Sequence, residues 1–202
     1  MAPPSAVSDA IASRARGLNG YVQRIERVRA SRGLSDSDAN RAYAGALLAF
    51  HVSVERSLER LFLGTVMGRF TYTSRPITPL VVIRSEVVAR AVVKGDRKYL
   101  DWLPYNYTAS RAEAFLSGGR PFADLGRTDI AAFERLSVVR NAIAHDSSHA
   151  LKQFRAQFVV GRPLPVGQQS PAGYLRGQHS TGQTRFEFML AETVAVFRRL
   201  CA

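Results

Sequence analysis

Arg140, Asn141 and His145 are the residues of this sequence whose types and spacing most clearly suggest chemistry. Arginine holds a phosphate group through two parallel hydrogen bonds and stays charged at physiological pH. Histidine exchanges a proton near neutral pH and is the commonest general acid or base. One group that binds phosphate and one that moves a proton are nearly all that cleavage of RNA without a metal requires. We therefore take Arg140, Asn141 and His145, the motif residues, as candidate catalytic residues.

The stretch that carries the motif residues has the periodicity of a helix. Thr128 and Asp129 are suited to its start, and we predict that it continues to about His145. Its apolar stripe consists of Ala132, Leu136, Val139 and Ile143. At about 100° per residue, Asn141 and His145 lie on the face opposite to this stripe and Arg140 lies at its margin. Arg140 must therefore reach around its helix, or the site must combine residues of two copies of the chain.

The remaining sequence predicts a mainly α-helical fold in a single domain, residues 1–202. Apolar spacing and capping residues predict further helices over about 5–31, 35–67, 85–93, 108–116, 147–159 and 184–200. The first two of these helices are expected to pair as an antiparallel hairpin. Together, these elements predict a helical bundle that positions the motif helix.

Two segments break the helical pattern. Residues 68–107 include stretches of strand-like composition, so we expect a small irregular or β-hairpin insertion around 69–107. Pro76 and Pro79 confine any strand pairing there to an edge. Residues 161–182 are rich in Gly, Pro, Gln and Ser and predict a long loop.

The chain is strongly basic, with 28 Lys and Arg, 16 Asp and Glu and a formal net charge of +12. The excess positive charge lies in residues 1–34, 69–100 and 147–202, whereas the other segments are nearly neutral. Such a surface attracts nucleic acid through phosphate contacts and release of counterions, which makes RNA the expected partner. Because 25 of the 28 basic residues are arginines, a GC-rich genome is an alternative reason for the charge.

Other features exclude several classes of protein. The lone Cys201 rules out an intramolecular disulfide, a cysteine-based zinc site and an iron–sulfur cluster. The four histidines show no metal-ligand spacing, so we expect no metal and no other cofactor. No apolar run approaches the roughly 20 residues of a membrane helix, and the first residues lack the pattern of a signal peptide. We therefore expect a cytoplasmic protein with no membrane partner.

The pattern Arg140-Asn141-x-x-x-His145 at the end of a helix resembles the signature of the HEPN superfamily. This superfamily comprises small helical domains of ribonucleases, toxins and RNA-processing proteins. The order of long helices over roughly residues 5–158, with the motif on a later helix, is also similar. The segment between 68 and 107 is longer and more strand-like than a minimal HEPN hairpin. The resemblance implies a HEPN-like helical bundle.

The resemblance also implies a homodimer in which two motif helices pack near a two-fold axis and form one composite active site. The implied reaction is metal-independent endonucleolytic cleavage of RNA by attack of a 2′-OH, a requirement that excludes DNA. His145 would act as general base or acid, Arg140 would bind the scissile phosphate, and Asn141 would orient one of them. A toxin or antiviral defence effector is the implied setting, with an antitoxin or regulatory protein as a further partner.

Three more residues are candidates for substrate binding. His51 and Glu55 lie four apart on the second predicted helix, so the carboxylate could orient the imidazole. His51 also lies on an apolar stripe, which favours the alternative of a core histidine. His149 follows the motif closely, although a plain surface position is its alternative.

Two functions other than cleavage also fit the sequence. One is a non-catalytic HEPN module that binds RNA or a nucleotide. The other is a helical protein-interaction domain. In that case Arg140 and His145 only mark the end of a helix, and the charge of His145 interacts with the C-terminal end of the helix dipole.

Overall fold

The computed structural model describes residues 3–73, 76–145, 147–179 and 182–202, which are mainly α-helical. The α-helices of the described residues are α1 (Ser5–Ala30), α2 (Asp36–Val66), α3 (Glu86–Lys94), α4 (Tyr105–Phe115), α5 (Arg127–Ala144), α6 (Ser148–Phe158), α7 (Pro171–Arg176) and α8 (Arg185–Leu200). Short 3-10 turns lie at Ser117–Gly119, Phe122–Asp124 and Val166–Gln168. Within the described ranges, none of these helices combines the length and apolar character needed to cross a membrane. The predicted mainly α-helical fold is confirmed.

Local signals explain where several helices begin. The Ser35 hydroxyl accepts from the Asp38 N–H at 3.1 Å, and the Asp38 carboxylate accepts from the Ser35 N–H at 3.2 Å. This reciprocal pair satisfies N–H groups that the first turn of α2 leaves without helical partners. At α3 the Ser85 hydroxyl accepts from the Val88 N–H, and at α6 the Ser147 hydroxyl accepts from the Ala150 N–H. Each cap depends only on residues close to it in the sequence. For this reason the starts of α2, α3 and α6 were predicted within one residue.

The chain packs as two compact units. The first comprises Met1–Ala12, Ser53–Glu134 and Thr193–Ala202, and the second comprises Ser13–Val52 and Arg135–Glu192. Helices α1, α2, α5 and α8 each contribute residues to both units. Single-domain organisation therefore stays a prediction.

An aromatic cluster forms the core of the first unit. The Phe62 ring contacts the rings of Trp102, Phe115 and Phe122, with centroid distances of 5.1, 6.1 and 5.4 Å. Phe62, Trp102 and Phe122 are almost fully buried. Aromatic pairs at such distances add to the stabilisation that burial of their surface provides. The cluster holds α2 against α4 and against the segments before and after α4.

A second group of rings packs inside the second unit. Tyr174 contacts Phe154 and Phe158 at centroid distances of 5.7 and 4.9 Å. These contacts join α6 to α7. Since Phe154 and Phe158 lie four residues apart, both face the same side of α6.

The insertion predicted around 69–107 is irregular. Its described residues include α3 and the start of α4, and an isolated antiparallel bridge joins Pro79 to Leu116. The Leu80 N–H donates to the Phe115 carbonyl, and the Ser117 N–H donates to the Thr78 carbonyl, both at 2.9 Å. No two-stranded hairpin forms among the described residues of this segment. The bridge needs no N–H from Pro79, because both of its bonds are donated by the neighbouring residues Leu80 and Ser117. Pairing extends no further, since Phe115 belongs to α4 and Ser117 begins a 3-10 turn.

The segment 161–182 differs from the predicted long loop. It contains a 3-10 turn and α7, whose Gly173, Tyr174 and Leu175 are buried. The Ser170 hydroxyl accepts from the Gly173 N–H at 3.2 Å, and Pro171 occupies the first turn, where its missing N–H costs nothing. Residues 180 and 181 lie outside the described residues.

Candidate functional site

Helix α5 presents the motif residues at its C-terminal end. The residues that anchor its buried face are Ala132, Phe133, Leu136, Val139 and Ala142. Ile143, predicted as part of the apolar stripe, is half-buried. The helix ends at Ala144, so His145 is the first residue beyond it, although its N–H still donates to the Asn141 carbonyl at 2.9 Å. Arg140 and Asn141 are half-buried and His145 is exposed.

One nitrogen of Arg140 joins the three motif residues. Nη1 donates to Oδ1 of Asn141 at 2.9 Å and lies 3.1 Å from Nε2 of His145. An arginine can only donate, so Nε2 of His145 must be the acceptor and its proton must sit on Nδ1. This tautomer is assigned from the hydrogen-bond pattern. The structure thus brings the predicted catalytic residues together within one chain.

The sequence left open whether Arg140 can reach the other motif residues around its own helix. The long side chain reaches around the helix to Asn141 and His145 of the same chain. The imidazole is accessible to it because His145 lies beyond the last helical residue, where the regular angular spacing of the helix no longer fixes its direction. A contribution from a second copy stays a prediction. Asp146, which the sequence places in the following turn, lies outside the described residues.

Arg140 keeps most of its hydrogen-bonding capacity. Both hydrogens of Nη1 are engaged, whereas no acceptor among the described residues engages Nε or Nη2. No described carboxylate pairs with Arg140, in contrast to Arg135, which pairs with Glu192 at 2.6 Å. As far as the described residues go, the Nε–Nη2 edge of Arg140 is open and has the geometry for bidentate binding of a phosphate.

The predicted substrate-binding residues occupy different environments. His51 is buried on α2 with 5 % of its surface exposed, which favours the alternative of a core histidine. Glu55 is half-buried on α2 and belongs to the first unit, whereas the motif residues belong to the second. His149 is exposed in the first turn of α6. Substrate binding by Glu55 and His149 stays a prediction.

Sequence reasoning did not single out a cavity of about 450 Å³ in the first unit. Its lining includes Arg56, Arg60, Arg69 and Arg90, and we refer to it as the arginine pocket. The four-residue spacing of Arg56 and Arg60 on one helix was the signal that could have indicated part of it. The approach of α3 to α2 completes the pocket and could not be read from local spacing.

Neither a metal site nor a reactive cysteine is indicated among the described residues. Among the described residues, no cluster of three or more His, Cys, Asp or Glu is placed to hold a metal ion. Cys201 is buried, and burial raises the pKa of its thiol to about 12. Because the thiolate is the nucleophilic form, this cysteine is poorly suited to covalent chemistry near neutral pH.

Comparisons with protein-family models, with curated proteins and with solved structures found no match to this chain. The resemblance to the HEPN superfamily stays a prediction, based on the motif residues and on the order of the helices. The geometry around Arg140 is the observation from which a function can be argued.

Proposed function

We propose that this protein is a HEPN-type endoribonuclease that cleaves RNA without a metal ion in the cytoplasm. The observation that carries the proposal is the position of Arg140, whose Nη1 contacts both Asn141 and His145 while its Nε–Nη2 edge has no described partner. A fixed guanidinium beside an exposed imidazole suits the binding of a phosphodiester next to a proton acceptor. The net charge of +12 supports a polyanionic substrate.

The proposed reaction begins when the scissile phosphate binds the Nε–Nη2 edge of Arg140. The substrate 2′-OH takes the place of the Arg140 donor at Nε2 of His145 and transfers its proton there. O2′ then bonds to phosphorus, and the bond from phosphorus to O5′ breaks. The products are a 2′,3′-cyclic phosphate and a 5′-OH end. Arg140 stabilises the negative charge that builds on the phosphate during the transfer.

The leaving O5′ needs a proton that the first His145 is not placed to donate while it accepts one. A second copy of the chain would supply another His145, which donates this proton after taking one up at Nε2 in place of its contact with Arg140. The exposure of His145 at the end of α5 is compatible with such an arrangement. We therefore include a homodimer with a composite active site in the proposal. Light scattering at micromolar concentration tests it, and a strict monomer that cleaves RNA would contradict it.

The decisive experiment compares the parent protein with His145→Ala on a defined RNA in EDTA. The parent should yield cyclic-phosphate ends, and the variant should be at least about 100-fold slower, because general acid–base catalysis typically contributes that much. His149→Ala is a matched control, since it removes an exposed imidazole four residues away. At saturating RNA its cleavage rate should match the parent, because loss of the predicted substrate contact at His149 would weaken RNA binding and not the chemical step. Cleavage by His145→Ala at the parental rate would reject the proposal.

A second candidate is a module that binds RNA or a nucleotide without cleaving it. The specific observation in its favour is that Arg140 occupies the lone pair of His145 Nε2, the atom a general base would use. Under this alternative, the parent and His145→Ala bind RNA equally and leave it intact.

We place the proposed ribonuclease in a toxin or antiviral defence setting, with an antitoxin or regulatory protein as its partner. An unrestrained ribonuclease should slow the growth of its host. Loss of its general base, His145, should relieve that effect. Growth should therefore fall on expression of the parent but not of His145→Ala. Equal growth with both proteins, at matched expression levels, would count against this setting.

A further inference from the structure

The arginine pocket lies in the first unit and is walled by α2, α3 and the residues that follow α2. Six of its lining residues are charged: Arg56, Glu59, Arg60, Arg69, Glu86 and Arg90. Its volume of about 450 Å³ falls in the range of sites for small molecules, about 300–1,000 Å³.

The charges of the pocket do not cancel. Arg90 pairs with Glu59 and, at 3.7 Å, with Glu86, which Arg69 also binds at 2.9 Å. No described acidic residue pairs with Arg56 or Arg60, which are exposed one turn apart on α2. Like charges at this spacing destabilise a helix, so an anionic ligand between them would relieve the repulsion. Four guanidinium groups face two carboxylates, which leaves two positive charges for a ligand.

An aromatic ring forms another part of the wall. Phe70 is half-buried and packs directly against α2 at Gly64, where a Cβ atom would collide with the ring. The absence of a side chain at Gly64 thus lets the ring sit beside the arginines. The pocket offers a cationic region and an apolar aromatic ring together. A ligand that fits both carries clustered negative charge and a planar ring.

We propose that the arginine pocket binds a nucleoside diphosphate. Arg56 and Arg60 hold the phosphates through charge-assisted hydrogen bonds, and the base packs against Phe70. This binding site is independent of the proposed cleavage, because the pocket residues belong to the first unit and the motif residues to the second.

The test is isothermal titration of the purified parent with ADP, with pyrophosphate and with adenosine at low salt. ADP should bind most tightly, pyrophosphate more weakly, and adenosine too weakly to detect. Arg56→Gln/Arg60→Gln should weaken ADP binding at least about tenfold, since it removes the two unpaired charges. Phe70→Leu should weaken the binding of ADP several-fold and leave the affinity for pyrophosphate unchanged.

The matched control is Arg14→Gln/Arg16→Gln, which removes the same charge from exposed positions of α1 outside the pocket. It should bind ADP within twofold of the parent. An equal loss in this control, or no ADP binding by the parent, overturns the proposal. Pyrophosphate binding as tight as ADP binding also overturns it, because the nucleoside would then contribute nothing.

Circular dichroism checks that each variant is folded. Should Arg56→Gln/Arg60→Gln not fold, Arg60→Lys replaces it, since it keeps the charge but loses the planar fork. We expect several-fold weaker ADP binding for Arg60→Lys, and parental affinity would reject the role of that residue. Failure of the RNA cleavage assay leaves these results unaffected, because none of these titrations involves RNA.

Discussion

At the scale of single residues, the Arg140 guanidinium has two roles in one group. Nη1 is used internally, because its two hydrogens reach Asn141 and His145. This contact fixes the plane of the guanidinium and leaves the Nε–Nη2 edge for a ligand. Asn141 therefore positions the arginine, a role that its place directly after Arg140 in the sequence did not specify. We therefore expect the planar, two-pronged shape of the guanidinium to matter as much as its charge.

The substitution Arg140→Lys tests the planar, bidentate shape of the guanidinium separately from its charge. A lysine keeps the positive charge but has a single ammonium group, which cannot contact Asn141 and also bind a phosphate bidentately. We expect the affinity for RNA to change by less than about threefold and the single-turnover cleavage rate to fall by about 100-fold, because the lost contacts act in the transition state. Single-turnover kinetics and fluorescence anisotropy measure the two quantities. Cleavage by Arg140→Lys at the parental rate would show that charge alone suffices.

At the scale of elements, Arg176 at the end of α7 holds a segment that the sequence predicts as loop. Its Nε donates to Glu26 and its Nη1 to Asn40, both at 2.9 Å, and its Nη2 donates to Asp36 at 3.0 Å. These bonds join α7 to the end of α1 and the start of α2. The side chain of Arg176 is only 16 % exposed, so its interactions are less screened than those of a surface ion pair.

The Arg176 contacts predict a pH-dependent contribution to stability. Burial alone would raise the pKa of Glu26, but hydrogen bonds from Arg176 and Arg29 outweigh it and hold that pKa below its usual value. A carboxyl with a depressed pKa in the folded state stabilises the fold above its unfolded pKa of about 4.3, and this stability is lost as the pH falls through the folded pKa. Arg176→Met should therefore lower the free energy of unfolding by about 1–3 kcal/mol at pH 7 and by less at pH 3.5.

Urea titrations followed by circular dichroism at both pH values measure this difference. Arg41→Met is the control, because Arg41 is 79 % exposed and its pairing with Asp38 at 3.3 Å is open to solvent. We expect little change from it at either pH. The free energies of unfolding of Arg176→Met and the parent should lie closer together at pH 3.5 than at pH 7. If the gap between them stays constant or grows on acidification, this contribution to stability cannot be assigned to Glu26.

The elements also show how far the sequence could predict the fold. Helices with regular apolar spacing and a serine cap, such as α3 and α6, were predicted within a few residues because both signals are local. Helix α7 was missed because its six residues are too few for periodicity, and its stability depends on contacts of Tyr174 with α6, distant in sequence. At the site, residue types singled out Arg140, Asn141 and His145, which lie in contact, whereas the chemistry expected of them stays a prediction. The direction of Arg140 could not be predicted, because a long side chain at the margin of a helix has several accessible rotamers.

At the scale of the whole molecule, the excess charge is only partly neutralised. Several arginines are in ion pairs with Asp or Glu, including Arg29, Arg69, Arg90, Arg135 and Arg176. Exposed arginines without a described acidic partner remain on other surfaces, among them Arg14, Arg16, Arg56 and Arg60. Unpaired surface charge of one sign attracts a polyanion and makes its binding dependent on salt.

RNA binding should therefore weaken steeply with salt. The variant His145→Ala is the suitable protein, because it should bind RNA without cutting it. With about four phosphate contacts on a single strand, its affinity should fall about 50-fold between 50 and 200 mM KCl, as bound counterions are released. Fluorescence anisotropy with a labelled RNA measures this dependence.

Adding Arg140→Gln should make the slope of log affinity against log salt shallower by about 0.7, the contribution of one phosphate. An affinity that ignores salt would mean that the arginines do not contact phosphate, and it would favour a protein partner over RNA.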